Sequence, residues 1–249
     1  AYSLYTQLGY WSEAQKILEV AVGHAFTPIE QWHLWKLELL RDALGLYGDA
    51  FQSGLDAWAS GVQIEALLTP LMSLAQSLEQ KERLCDVLSN TSISTLASEL
   101  AADVLGTILK FATELEKPAM VATSARGLLN FDPASIEAHS ALCDALRQVG
   151  PPEGLVEALV AAAEFNSEPE LKLEIGKLYL EQLNSASKAA YWLGQYCTLV
   201  DADITALKLL MDAHLDRNAW QEAYQAQLAL IGIIDDQAAL LDGEMHAYD

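Results

Sequence analysis

The chain has 249 residues, just over half of them hydrophobic, and its 14 Lys+Arg against 35 Asp+Glu give a formal net charge of −21. So acidic a surface repels nucleic-acid phosphates and anionic lipid, which excludes nucleic acid as a partner and favours a protein or peptide, a basic one above all. No apolar run has membrane-spanning length, so membrane insertion is not expected. The three cysteines (Cys85, Cys143, Cys197) are odd in number, far apart and set in apolar helical runs, which points to buried free thiols in a reducing, cytoplasmic setting.

Alanine and leucine are abundant, proline is sparse, and Val and Ile form no alternating runs, so the expected fold is all-α. The N-terminal stretch, 1–90, reads as irregular helical units. Residues 2–8 are the end of a helix, broken at Gly9, with Ser12 as the expected N-cap of the next. Thr27-Pro28 reads as an N-cap followed by Pro in the first turn of a long helix from about Pro28 to Leu46. A short helix carries Phe51, Leu55 and Trp58. One helix is expected over 63–78, with Pro70 in its first turn or at a kink, and another over Gln80–Leu88. Ser89-Asn90-Thr91-Ser92 bond their own backbone readily and mark the expected seam. Half of the aromatics fall in the first quarter of the chain. Trp32 and Trp35 among them are candidates for docking, with inter-helix packing as the other reading.

From 91 to 235 the pattern becomes regular. Val121, Leu155, Ala189 and Ala223 stand 34 residues apart, and a fixed period of this size marks a stack of helix pairs. The first copy has Leu105, Ile108, Leu109 and Ala112, then Val121, Ala125 and Leu128. The second has His139, Leu142, Cys143 and Leu146, a break at Gly150-Pro151-Pro152, then Leu155, Leu159, Ala162 and Phe165. In the third, Ile175, Gly176 and Tyr179 precede a turn at Asn184-Ser185 that carries one extra residue. The fourth has Leu207, Leu210, Met211 and His214, a turn at Asp216-Arg217-Asn218, and then Trp220, Ala223, Gln227 and Leu230 facing inward. Residues 236–249 are expected to hold a separate capping helix, about 236–246, with one wet face.

The period, the two-helix unit and the strings Gly9-Tyr10-Trp11-Ser12-Glu13-Ala14 and Asn218-Ala219-Trp220-Gln221-Glu222-Ala223 resemble the tetratricopeptide repeat. Leu129-Asn130-Phe131-Asp132-Pro133 resembles that family's closing segment. The resemblance covers residues 1–28 and 102–235, with the first-helix Trp, Leu and Gly signature mostly absent. It implies one continuous right-handed superhelical solenoid of antiparallel helix pairs, whose first helices line a groove. By the repeat register that groove is expected to present Asp103, Lys110, Glu137, Ser140, Asp144, Arg147, Leu173, Lys177, Thr205, Lys208 and Asp212. One subgroup of the family clamps a C-terminal carboxylate with Lys and Asn, and Ser140 and Asp144 stand where that clamp needs them, so that ligand is not expected.

The five histidines stand in no metal-ligand spacing, and no HExxH, CxxC, GxSxG or glycine-rich phosphate loop is present. No catalytic residue, metal site or cofactor is therefore expected. His139 and His214 are read as packing groups, and the acids Asp201/Asp203 and Asp235-Asp236 as complements to helix dipoles. The expected function is a non-catalytic scaffold or adaptor that binds a protein or peptide segment in a helical-repeat groove. The alternatives are a helical accessory domain of a larger enzyme or of a secretion or assembly complex, which the start without Met motivates, and a self-association module forming homo-oligomers.

Overall fold

The computed structural model describes the backbone of residues 1–246 and the side chains of residues 1–235. It holds fourteen α-helices and, among the described residues, no strand. The chain divides into two compact units, Ala1–Pro133 and one beginning at Ala134. The expected seam at 90/91 thus falls inside the first unit.

The first unit contains α1 (Tyr2–Gln7), α2 (Trp11–Gly23), α3 (Ile29–Glu38), α4 (Tyr47–Ala59), α5 (Glu65–Ser77), α6 (Lys81–Ser89), α7 (Ser98–Glu114) and α8 (Pro118–Leu129). α3 runs on into a π-helical turn, Leu39–Ala43. Two expected caps are displaced. α2 starts at Trp11 with Tyr10 as its N-cap, and α3 starts at Ile29, after an extended Pro28. Pro70 lies in the body of α5 rather than its first turn. The core is bulky and shared by many helices: Leu37, Phe51, Leu55, Trp58, Leu67, Leu71, Leu84, Leu88, Ile108 and Phe111 are all buried in one cluster. The Trp58 indole N–H, which would be costly to bury unpaired, donates to Thr91 Oγ1 at 2.9 Å. The polar loop after α6 therefore serves the core as an acceptor. Ion pairs Lys81–Glu114 and Lys117–Glu82 tie α6 to the end of α7 and the turn after it.

The second unit is a succession of α9 (Ile136–Val149), α10 (Pro152–Phe165), α11 (Pro169–Glu181), α12 (Ala186–Leu199), α13 (Ile204–Asp216) and α14 (Trp220–His246). Each helix packs on the next, and the two- to four-residue connections make neighbours antiparallel, the arrangement of a helical solenoid. Pro152 and Pro169 open α10 and α11 at positions whose N–H has no helical partner. Ser135 caps α9 and Asp203 caps α13. The turn before α12 spans four residues against three before α14, which is the extra residue the register requires. The 34-residue positions Val121, Leu155, Ala189 and Ala223 are all buried, on α8, α10, α12 and α14.

Two features of the fourth copy differ from expectation. The helix does not break near Asp235, since α14 is continuous from Trp220 to His246. The side chains of the expected capping segment, 236–249, lie outside the described residues. The inward face is also set differently: Ala206, Ala213, Ala223 and Ala226 are buried, whereas Trp220 and Gln227 are exposed. Small residues rather than large ones fill this seam, because closely approaching helices leave room for little more than a methyl group.

Candidate partner-binding site

Ile136, His139, Ser140, Cys143 and Arg147 recur at helical spacing along one face of α9. With Phe165 and Asn166 at the end of α10, and Glu168 and Leu171 at the start of α11, they line a cleft of about 310 Å³ within the second unit. One wall is apolar. Ile136 and Phe165 are exposed there, and the buried His139 ring stacks on Phe165 with centroids 5.6 Å apart. The other wall is polar and is set by Arg147. Its Nε and Nη2 donate to the two oxygens of Glu174 at 2.7 and 2.6 Å, and its Nη1 donates to Asp144 Oδ1 at 2.5 Å. This fork-to-fork pairing fixes the guanidinium between α9 and α11. Its hydrogen bonds to Glu174 push its pKa upward, so it is cationic at every relevant pH. Two carboxylates on one guanidinium leave a negative charge in excess, and Glu168 adds to it.

The Cys143 thiol is pushed up to about 11 by burial, and Cys85 likewise to about 11, so both stay protonated and unreactive as nucleophiles. Burial lowers the pKa of His33 and of His214, and the Nδ1 of each is buried without a hydrogen-bond partner. Both are held as neutral packing groups. Among the described residues no cluster of His, Cys, Asp or Glu is arranged to hold a metal ion. No helix among them is long and apolar enough to cross a membrane.

Of the residues expected in the groove, Ser140 and Arg147 line this cleft, and Asp144 stands beside it through its ion pair with Arg147. Glu137 is exposed one turn earlier on α9, beside the Ser135 hydroxyl. Leu173 packs against the Ala189–Leu193 cluster instead of facing outward. Lys177 is half-buried near Asp203, and its charge helps to hold that carboxyl low. Thr205, Lys208 and Asp212 are exposed on α13, where the Thr205 N–H is taken up by the Asp203 cap. Asp103 and Lys110 are exposed on α7, in the first unit. Trp32 and Trp35 are half-buried packing groups. Trp35 stacks on Tyr2 at 5.0 Å, Trp32 meets Trp35 edge-on at 5.1 Å, and both lean on the buried Ala14, Leu18 and Leu39. Sequence reasoning missed Glu174 and Phe165 as site residues. The available signal for Glu174 was its acid one step from the assigned Leu173, on the helix facing Arg147.

No known family's sequence profile matches the chain, and no curated protein matches it. Solved structures do. In the Naa15/Naa10 complex bound to HypK-THB, a chain 13% identical aligns over 99% of this chain and 41% of its own length, with a TM-score of 0.51. A tetratricopeptide repeat protein from Parabacteroides merdae is 14% identical over 94% of this chain and 90% of its own, with a TM-score of 0.38. MamA is 14% identical over 78% and 96%, with a TM-score of 0.45. The likeness is one of fold alone, an all-α array of antiparallel helix pairs.

Proposed function

We propose that the chain is a non-catalytic scaffold whose second unit binds an extended protein segment along α9, α11 and α13. The observation that carries this is the α9–α11 cleft, where an exposed apolar wall stands opposite an over-compensated arginine. An apolar side chain of the partner fills the space beside Phe165 and Ile136. A Lys or Arg of the partner answers the excess charge of Asp144, Glu174 and Glu168. Arg147 itself is not free to bind an anionic ligand, because both of its faces are already engaged. The scarcity of cations over the whole chain supports the same preference for a basic partner. Affinity in such a site is spread over several repeats, and each exposed charge contact contributes little alone.

The test uses two synthetic peptides identical but for charge, one Phe/Lys-rich and one Phe/Glu-rich, titrated against the protein by NMR. The basic peptide is expected to shift the amides of Ser140, Asp144 and Leu171 at low salt. Asp144→Lys is expected to weaken it by about tenfold, the equivalent of one or two exposed charge contacts. A well-dispersed spectrum that neither peptide moves would overturn the reading. Preferential binding of the acidic peptide would reverse its charge assignment.

A further inference from the structure

The α9–α11 cleft offers a partner side chains but little backbone. Past their first turns, α9 and α11 bond their N–H and C=O groups within themselves. In the connection from α10 to α11, the Asn166 N–H donates to the Ala162 carbonyl, and the Glu168 N–H donates to Asn166 Oδ1 at 3.1 Å. A β-strand laid there would find no ladder to join, and its own N–H groups would lack partners. A helix, about 10 Å across with its side chains, is too wide to enter between helices that Arg147 and Glu174 join at 2.7 and 2.6 Å. The polyproline II helix has no internal hydrogen bonds and needs no ladder, and proline brings no N–H to satisfy.

Length selects the same conformation. The apolar platform is Phe165, 45% exposed, stacked on the buried His139 ring. The acidic end is Asp144 and Glu174, both paired to Arg147. From His139 it is five residues to Asp144 and eight to Arg147, about 8 and 12 Å along α9. In a β-strand, side chains facing the same way lie about 7 or 13 Å apart, both outside that interval. In polyproline II they recur every three residues, about 9 Å apart, which falls inside it. Glu168 stands exposed at the platform end, so the charge there also favours a basic chain.

Given that this cleft receives a protein segment, as proposed above, we propose that the segment is a proline-rich stretch in the polyproline II conformation. Its apolar side chain lies on the Phe165/His139 platform, and a Lys or Arg three residues away meets Asp144 and Glu174. Aromatic-lined grooves suit such chains, because the proline rings pack on them and the conformation is already formed before binding. That lowers the ordering cost, which matters at a short, exposed site where each charge contact is weak.

The test is a set of short peptides of equal length, titrated against the full chain by NMR. Each is built of prolines and carries a Phe with a Lys on both sides, so that either chain direction can be read. The Lys stand two, three or four residues from the Phe, and a further peptide keeps the three-residue spacing with alanine in place of every proline. The three-residue proline peptide is expected to bind about fivefold tighter than each of the others, shifting the amides of Ser140, Asp144 and Leu171. Asp144→Asn, at an exposed position, is expected to shrink that preference with helical circular dichroism unchanged. Equal affinity at all spacings, a preference for two or four, an alanine peptide that binds as tightly, or a preference untouched by Asp144→Asn would each overturn the proposal while leaving the cleft a site for a basic segment of another form. A well-dispersed spectrum that no peptide moves, the Phe/Lys-rich one included, would instead overturn the reading of the cleft itself, and the proposal with it.

Discussion

The two units solve the same packing problem with different materials. The first buries Trp58, Phe51, Phe111 and a set of leucines in one cluster to which α3 to α7 all contribute. The second is a chain of seams, each shared by neighbouring helices, and around α12 and α13 the seam is Ala189, Ala190, Leu193 and Ala213. Large side chains fill irregular space and tolerate unequal helices. Small ones require helices to approach closely at a fixed spacing, which is why a 34-residue period survives in the second unit and is lost in most of the first. Bulk gives the first unit interior depth. Repetition gives the second a surface on which successive first helices present side chains in register.

The largest expected effect tests the first half of that contrast. Trp58→Ala removes the bulkiest fully buried side chain and its hydrogen bond to Thr91, so about 3–5 kcal/mol of the first unit's stability should be lost. Amide hydrogen exchange resolves where. Protection should fall throughout α4 to α7 and remain in α9 to α13. Equal loss in both sets would mean that the two units unfold as one block, and the contrast would fail.

A pair of glycines sharpens the comparison at intermediate magnitude. A Cβ at Gly176 would stand 2.6 Å from Leu193 Cγ and 3.3 Å from the Leu193 backbone nitrogen. A Cβ at Gly54 would also be tight, at 2.7 and 2.9 Å, but against methyl ends of Leu71 and Leu37 that can rotate away. Gly176→Ala should therefore cost about 1–3 kcal/mol by forcing α11 and α12 apart. At Gly54 the same change should cost less, offset by alanine's better helix propensity of about 1 kcal/mol. Urea denaturation of the two variants decides it. A larger loss at Gly54 would show that the alanine seam is the more forgiving of the two cores.

These differences track what could be read in advance. The second unit was legible because its period is written in residue identity: the positions 34 apart are buried, the prolines open helices, and Asn184 and Asn218 take the left-handed turn sites that glycine usually holds. The boundary of the first unit was not legible. The polar loop at 89–92 looks like a seam, yet Thr91 faces inward to accept from Trp58, a contact between residues 33 apart that no local pattern encodes. At the candidate site, Ser140, Asp144 and Arg147 followed from register alone. Register also assigned Leu173 to the groove, but Leu173 packs against the cluster of Ala189, Ala190, Leu193 and Ala213, a contact between helices that register does not encode. On α14 the repeat plan set Trp220 inward with Ala223, and here the covered positions belong to alanine.

The smallest effect concerns a single cap that only the regular unit depends on. Asp203 Oδ1 accepts from the Thr205 and Ala206 N–H groups at 2.9 and 3.0 Å, and Oδ2 accepts from the Tyr196 hydroxyl at 2.8 Å. The Ala206 N–H is the largest cause holding this carboxyl below its ordinary value, and the Tyr196 phenol is pushed up to about 12 by donating to it. For Asp203 the folded value lies below the unfolded one, so its contribution is complete above about pH 4 and is lost as the pH falls through the depressed folded value. For Tyr196 the folded value lies above the unfolded one. Its contribution is complete below about pH 10 and is lost as the pH rises towards 12. Asp203→Ala should therefore cost about 1 kcal/mol near neutrality, in the usual range for a lost N-cap. It should also flatten the stability of α13 at both ends of the pH scale, while the first unit, whose helices lack side-chain caps, keeps its own profile. Exchange protection in α12 and α13 measured at acid, neutral and alkaline pH reads this directly. An Asp203→Ala chain with the wild-type pH profile in α13 would assign the cap's effect to helix geometry alone and leave the Tyr196 hydrogen bond without an energetic role.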